Sequence, residues 1–337
     1  MPNHLAIGLS LPNRGVLFGA ISVDEMLQMS EVADRSGAFH SLWVGDSMFA
    51  KPRLEALTIL SAIAARTSSV KLGTACLASF PLRDPRLFAL QWASLDVIAG
   101  GRSLLCVCMG ASGGSGMGAA PTEVQIMGFN PKERVGRFEE GIEIVRKLWH
   151  EDDVSHQGRY YSFEHATLEP KPVQRPCPIW IANNPPPEKP DLEARAYRRV
   201  ARLADGWMTD GGPTPAEFGR RWNIVRTFVA EEGKIPASYH ASYHMMININ
   251  DDTGRAWREG VEFLTRYYGL MNEGFLRIWL ATGPPDEVAR RIQEYVDHGC
   301  TLPIVRFAAG DGLAQLKRFL DHVLPALRPA AAPGGAR

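Results

Sequence analysis

Short apolar runs alternate with longer amphipathic stretches along almost the whole chain. The runs at 5–10, 41–44, 71–76, within 102–110, and at 178–181, 206–209, 242–250 and 301–307 are apolar or small on both sides. Strands covered on both faces of a parallel sheet read this way. Between them the apolar positions recur at helical spacing. Met26, Met29 and Ala33 do so over 24–36, Val135, Phe138, Ile142, Val145 and Trp149 over 131–149, and Val288, Ile292, Tyr295 and Val296 over 285–298. Further helices are predicted over 54–66, 191–203, 215–232, 253–268 and 313–327. The unit from Val70 to Gly118 is the clearest: a buried strand, a helix opened by Asp84-Pro85 and stopped by Gly100-Gly101, a second buried strand and a glycine-rich loop. Thr214 ahead of Pro215 marks another helix start. The segment 151–168 alternates around Gly158 and reads as a hairpin insertion.

Eight strand–helix units with short loops and no linker predict an α/β fold, a single (β/α)8 barrel over 1–327 with a disordered tail at 328–337. A doubly wound sheet would need a composition break or a switch point, and the sequence has neither.

Composition narrows the function. Apolar residues make up 45% of the 337, and Lys+Arg and Asp+Glu both total 37, without a basic stripe to track a phosphate backbone. Nucleic acid is thereby excluded as a partner. No apolar run approaches membrane-spanning length and the N-terminus runs straight into a strand, which predicts a cytoplasmic protein. The five cysteines, Cys76, Cys106, Cys108, Cys177 and Cys300, are odd in number and scattered, the pattern of reduced thiols rather than of a metal set. No His-x-His follows the first strand, and no Gly-x-Ser-x-Gly elbow occurs.

Several short motifs fall in a consistent order. They are Gly37-Ala38-Phe39 before Ser41-Leu42-Trp43-Val44, Lys71-Leu72-Gly73-Thr74, Pro81 with Arg83-Asp84-Pro85, Ala93-Ser94-Leu95-Asp96 and Gly100-Gly101-Arg102. Later come Arg137-Phe138-Glu139-Glu140-Gly141 with Leu148-Trp149, Pro178-Ile179-Trp180-Ile181-Ala182, Ala201-Arg202-Leu203-Ala204-Asp205-Gly206-Trp207 and Gly283-Pro284-Pro285-Asp286-Glu287-Val288. In these the chain resembles the luciferase-like oxidoreductases, (β/α)8 enzymes that use FMN or the deazaflavin F420.

In such a barrel function lies at the C-terminal ends of the strands. Candidate positions are Asn13 and Arg14, Asp46 and Ser47, 76–80, 109–118, Asn183 and Asn184, 210–212, 244–248 and Arg306. Among these Asp46 is the best-placed acid–base group, with His244 and Arg306 behind it. The resemblance implies a bulge or non-proline cis peptide at Ala75-Cys76 backing a flat ring, with Ala78 and Ser79 leaving room for it. It also implies cofactor contacts from Met109, Gly110 and Ala111 after the fourth strand and from Asn183 and Asn184 after the fifth. Residues 114–119, GSGMGA, fit a dinucleotide fingerprint in the wrong context, and read as a lid or as plain flexible loop.

Members of this family either oxygenate a substrate with reduced FMN and O2 or pass hydride to or from F420. Many F420 users carry Asp-His after the second strand, whereas this chain has Asp46-Ser47, which tilts the expectation toward a reduced-FMN monooxygenase served by a separate flavin reductase. F420-dependent hydride transfer and a non-catalytic flavin-binding protein remain the alternatives. Met48, Phe49, Phe80, Met109, Met117, Met245 and Met246 suggest an apolar pocket for a small organic substrate. A homodimer through the second and third helices, small-residue-rich at Ala56, Ala62, Ala64, Ala65 and Ala89, is expected.

Overall fold

The structure of the protein, a computed structural model, describes residues 5–110 and 123–329. Along the chain β1 (Gly8–Leu11) leads to α1 (Val23–Ser36), followed by β2 (Ser41–Val44), α2 (Ala56–Arg66), β3 (Lys71–Thr74), α3 (Pro85–Ile98) and β4 (Ser103–Val107). A single turn, α4 (Glu123–Ile126), and the long α5 (Arg134–His150) precede the hairpin β5 (Val154–Gln157) and β6 (Ser162–Ala166). Then come β7 (Ile179–Ala182), α6 (Pro190–Leu203), β8 (Gly206–Asp210), α7 (Pro215–Glu231), β9 (His240–Ile249) and α8 (Thr253–Tyr268). The chain finishes with α9 (Glu273–Trp279), β10 (Leu280–Gly283), α10 (Pro285–Asp297), β11 (Leu302–Phe307) and α11 (Gly312–Arg318). The parallel order β9-β11-β1-β2-β3-β4-β7-β8 closes on itself through β8 and β9, giving the (β/α)8 barrel the sequence predicts.

Local chemistry sets the element ends. Asp84 accepts the Arg86 N–H at the start of α3, and Gly100 and Gly101 leave that helix with φ of 62° and 80°. The Ser22 hydroxyl and Glu25 carboxylate form a reciprocal cap on α1. Thr214 caps α7 as expected. The hairpin is confirmed, and Glu140 of α5 anchors it by accepting the N–H groups of Tyr160 and Tyr161.

Two expectations are corrected. The sequence showed one strand between 240 and 284, but a short helix and an extra parallel strand, α9 and β10, lie there. β10 pairs with Met246–Ile249, the half of β9 that β8 leaves free. Four residues between a helix and a Gly-Pro turn carry too little periodicity to be read as a strand. Of the small residues assigned to a dimer face, Ala56, Ala64 and Ala89 are buried within the subunit. The outer face of α3 instead shows Leu87, Leu90, Val97 and Ile98. Both the glycine-rich stretch and the predicted tail from 330 on lie outside the described residues.

Side chains alternate inward and outward along barrel strands, so each strand contributes every second residue to the interior. Trp43, Leu104, Cys106, Trp180, Met208, Leu302 and Ile304 form that inner cluster. Two indoles dominate it, with ring centroids 5.5 Å apart. They fit because the facing positions are glycines: a Cβ on Gly8 would lie 2.7 Å from Trp43 Nε1, one on Gly73 would enter the Trp43 ring, and one on Gly206 would lie 2.8 Å from Trp180. Gly73→Ala should therefore lower unfolding free energy by about 1–3 kcal/mol through overpacking, measured by urea denaturation. An unchanged midpoint would show that the Trp43 ring has room to move.

Candidate active site

The next inward residues above the indoles, at the C-terminal ends of the strands, are polar. They are Ser10 on β1, Asp210 on β8 and Arg306 on β11, two positions beyond Gly8, Met208 and Ile304, and His244 on β9, four beyond His240, whose ring lies 5.3 Å from that of Trp180. Arg306 is fully buried, donating through Nη2 to Ser10 Oγ (2.6 Å) and through Nη1 to the Tyr268 hydroxyl (2.5 Å), while its Nε has no partner. The guanidinium lies 4.9 Å from the centre of the Tyr267 ring. His244 is 3% exposed, and its Nε2 is buried without a partner. Burial, reinforced by Arg306 and Arg53, holds its pKa well below the ordinary histidine value, so the imidazole is neutral. Asp210 is exposed at the mouth yet crowded by protein, and this crowding pushes its carboxyl upward against the pull of Arg306.

The opposite wall is built from β3 and β4. The Ala75–Cys76 peptide is cis, as the resemblance implies. Ala75, Cys76, Ala78, Met109 and Gly110 are half-buried around it. Gly110 has φ of 70°, and a Cβ there would stand 3.1 Å from the Ala78 carbonyl oxygen. These small, close-packed residues leave a flat shelf that fits a planar ring system. Ala111, also expected to touch the cofactor, lies outside the described residues.

The structure assigns other roles to several expected site residues. Ser79 is fully buried; its N–H donates to Asp46 (2.7 Å) and its hydroxyl accepts from Arg83. Asp46, 8% exposed, therefore works as a brace between β2 and the loop after β3, with Arg83 at 3.7 Å as its ion-pair partner. Burial raises its carboxyl despite Arg83 and the Ser79 N–H. His244 and Arg306 thus stand together, and Asp46 stands apart from them. Ser47 donates to Glu123 (2.5 Å), which also accepts the N–H groups of Phe49 and Ala50. The Asn183 amide bonds the Ala196 carbonyl and the Trp207 indole, and that of Asn184 bonds the Asp210 carbonyl and Arg221. These amides tie loops together, Asn183 half-buried and Asn184 exposed, by pairing with backbone and side-chain groups at the strand ends. Phe80, Met245 and Met246 are core, so the expected apolar lining shrinks.

The expectation of reduced thiols is also corrected. Cys76 and Cys108, 32 residues apart in sequence, meet across the ends of β3 and β4 and form a disulfide beneath the shelf. Spacing along the chain could not reveal it, because the proximity is created by strand pairing. Residues that sequence reasoning passed over include Lys51 and Arg53 on the loop after β2, and Tyr267, Tyr268 and Trp279 from α8 and α9. The Trp279 indole donates to the His244 carbonyl (2.8 Å) and packs 5.2 Å from Tyr268. The segment GDSMFAKPR beyond the second strand was the available signal for the two cations.

Against known proteins, the luciferase-like monooxygenase family matches residues 5–302. The chain is similar to an F420-dependent glucose-6-phosphate dehydrogenase of Kineococcus radiotolerans, 26% identical over 86% of this chain and 89% of that one. Among solved structures it resembles an F420-dependent secondary alcohol dehydrogenase in complex with an F420–acetone adduct, with a TM-score of 0.78 and 17% identity over 96% and 99% of the two chains. The monooxygenase RslO1 from Streptomyces bottropensis superposes with a TM-score of 0.75, at 23% identity over 95% and 99%.

The three remaining cysteines are buried, with the Cys177 and Cys300 thiols pushed up to about 12 and Cys106 higher still by burial. A thiol reagent should thus label no cysteine of the native oxidised protein, Cys76 and Cys108 after mild reduction, and the rest only on denaturation. Fast labelling of Cys76 or Cys108 before reduction would refute the bridge.

Proposed function

Because the chain belongs to the luciferase-like monooxygenase family, and is thus a flavin- or F420-dependent oxidoreductase, we propose that it is an F420-dependent enzyme that exchanges hydride with a small alcohol or carbonyl substrate. The observation that carries this reading is the neutral, buried His244 with a free Nε2 opposite the Ala75–Cys76 shelf. Oxidising an alcohol to a carbonyl removes a hydride from carbon and a proton from oxygen, so a base must face the hydroxyl. The relatives named as F420-dependent dehydrogenases support the same cofactor.

Ser47 in place of histidine is what points to reduced FMN in the sequence. Since the Ser47 hydroxyl is committed to Glu123, that position is a loop brace, and the proton acceptor stands on β9. On this reading neither O2 nor a flavin reductase is required. F420, when bound, supplies the ring that takes or gives hydride. Ala75, Cys76, Ala78 and Gly110 would back that ring, Tyr268 and Trp279 would wall the substrate side, and His244 would take the hydroxyl proton at Nε2. Burial, and Arg306 after it, keep His244 uncharged and so in its base form at neutral pH. The exposed apolar stripe of α3, which a second copy would cover, supports self-association as part of this reading.

The test is an anaerobic titration with F420 and, separately, with reduced FMN, followed by F420 turnover on a panel of alcohols. F420 binding and substrate-dependent reduction are expected; FMN binding with O2 consumption and no response to F420 would overturn the reading. His244→Gln should lower kcat by about 10²–10⁴-fold while F420 affinity is retained. Because the His244 pKa lies well below 6.5, its base form persists as the pH falls from 7 to 6, and the wild-type kcat/KM should show no histidine-like acidic limb there. A limb near 6.5 that disappears in His244→Gln would contradict the pKa assignment.

A further inference from the structure

The loops after β1 and β2 bring three cations to the rim of the same mouth, beside Arg306. Arg14, Lys51 and Arg53 surround the Tyr267–Tyr268 pair. The Arg14 backbone N–H donates to the Tyr267 hydroxyl (3.2 Å), Lys51 Nζ lies 5.2 Å from the Tyr268 ring centre, and the Arg53 guanidinium lies 5.7 Å from that of Tyr267. Their hydrogen bonds end on neutral carbonyls: Arg14 Nη1 on Pro52 (2.8 Å), Lys51 Nζ on Tyr268 (2.7 Å) and Arg53 Nε on Lys51 (3.0 Å). Such bonds fix the cations in place without neutralising them.

Among the described residues none of the three stands in an ion pair, in contrast to Arg220, which is held by both Glu193 and Glu217. The nearby carboxylates are already engaged. Asp46 holds Arg83 and the Ser79 N–H and attracts Arg53 only at longer range, Glu55 holds Arg83 and Thr58, Glu123 holds the 47–50 loop, and Asp210 faces Arg306. His244 contributes no charge. The cations also crowd one another: burial first, then Arg14 and Arg53, bring the Lys51 amine down to about 8. Gly45, at the end of β2, makes the crowding possible, since a Cβ there would collide with Arg53 Nη1.

Gathering like charges on a half-buried rim is unfavourable unless a ligand resolves it, and guanidinium and ammonium groups in this density match an oxyanion. We propose that Arg14, Lys51 and Arg53 form a subsite for an anionic group of the substrate, a carboxylate or a phosphate ester. This rests on the mouth being the active site, and it replaces the expectation of an apolar substrate. The anion anchors one end of the molecule while its alcohol carbon lies between His244 and the shelf.

The test reads Lys51 directly and needs no turnover. The full-length protein, free of cofactor, is treated at pH 8 with an amine-acylating reagent at constant ionic strength, and Lys51 modification is followed by peptide mass spectrometry in chloride, in inorganic phosphate and in acetate. A bound anion returns the amine toward its ordinary range, and at pH 8 a rise from about 8 to about 9 slows labelling about fivefold, with about tenfold more for a further rise to about 10. Strong protection by phosphate or acetate but not chloride is expected, the better of the two indicating phosphate ester or carboxylate. Protection should be lost in Arg14→Met and Arg53→Met, and weakened in Gly45→Ala, which displaces the guanidinium but keeps its charge.

Equal labelling in all three salts would overturn the subsite. So would loss of F420 affinity in Arg53→Met together with displacement of phosphate by F420, since the cluster would then hold the cofactor's own anionic groups. Failure of wild-type protein to bind F420 at all would strike the proposed function instead, and the labelling result reports separately from it.

Discussion

A closed barrel must fill its own axis, and here two indoles do most of that filling. Trp43 and Trp180 are too large to share their layer with ordinary side chains, so the strands beside them present Gly8, Gly73 and Gly206. The interior below the mouth is thereby solid, and inward residues from the next layer on face upward. Ser10, Asp210, His244 and Arg306 sit above a plug, at the open end of the barrel, where no further layer of strand residues packs over them. The free nitrogens of His244 and Arg306 follow from that geometry.

Electrostatics divides the mouth into unlike halves. Where the start of the loop after β2 meets the loop after β3 the charges are paired, Asp46 with Arg83 and Glu123 with backbone N–H groups. On the β1, β2 and β11 side the positive charges outnumber their partners. Buried Arg306 is stabilised by Ser10, Tyr268 and the face of Tyr267 rather than by a carboxylate in contact. A neutral His244 between these halves is the expected result, because a nearby guanidinium and low exposure both oppose protonation.

Much of the fold was legible in the sequence, since buried strands and capped helices leave periodic marks that survive without any knowledge of partners. Asp84-Pro85, Gly100-Gly101 and Thr214 end or begin helices where their chemistry says they should. The strand β10 left no such mark. Of the candidate site, the placing of His244 and Arg306 at the strand ends was legible because a barrel's C-terminal face is known once its strands are. Ser79, Asn183 and Asn184 were placed at the correct end of the barrel, but nothing in their identity tells whether an amide or hydroxyl will bond a ligand or a neighbouring loop. The Cys76–Cys108 bridge and the rim of cations depend on pairings between segments distant in sequence, which no local pattern records.

The ten residues of β9 carry two different neighbours on one edge, β8 along the lower half and β10 along the upper. Only the lower pairing is needed to close the barrel. The upper one fastens on a cassette, α8 to β10, that contributes Tyr267, Tyr268 and Trp279 to the mouth. A change in this cassette would therefore reach the mouth through those three rings, while the β8–β9 pairing that closes the barrel and the plug beneath it are built from other residues.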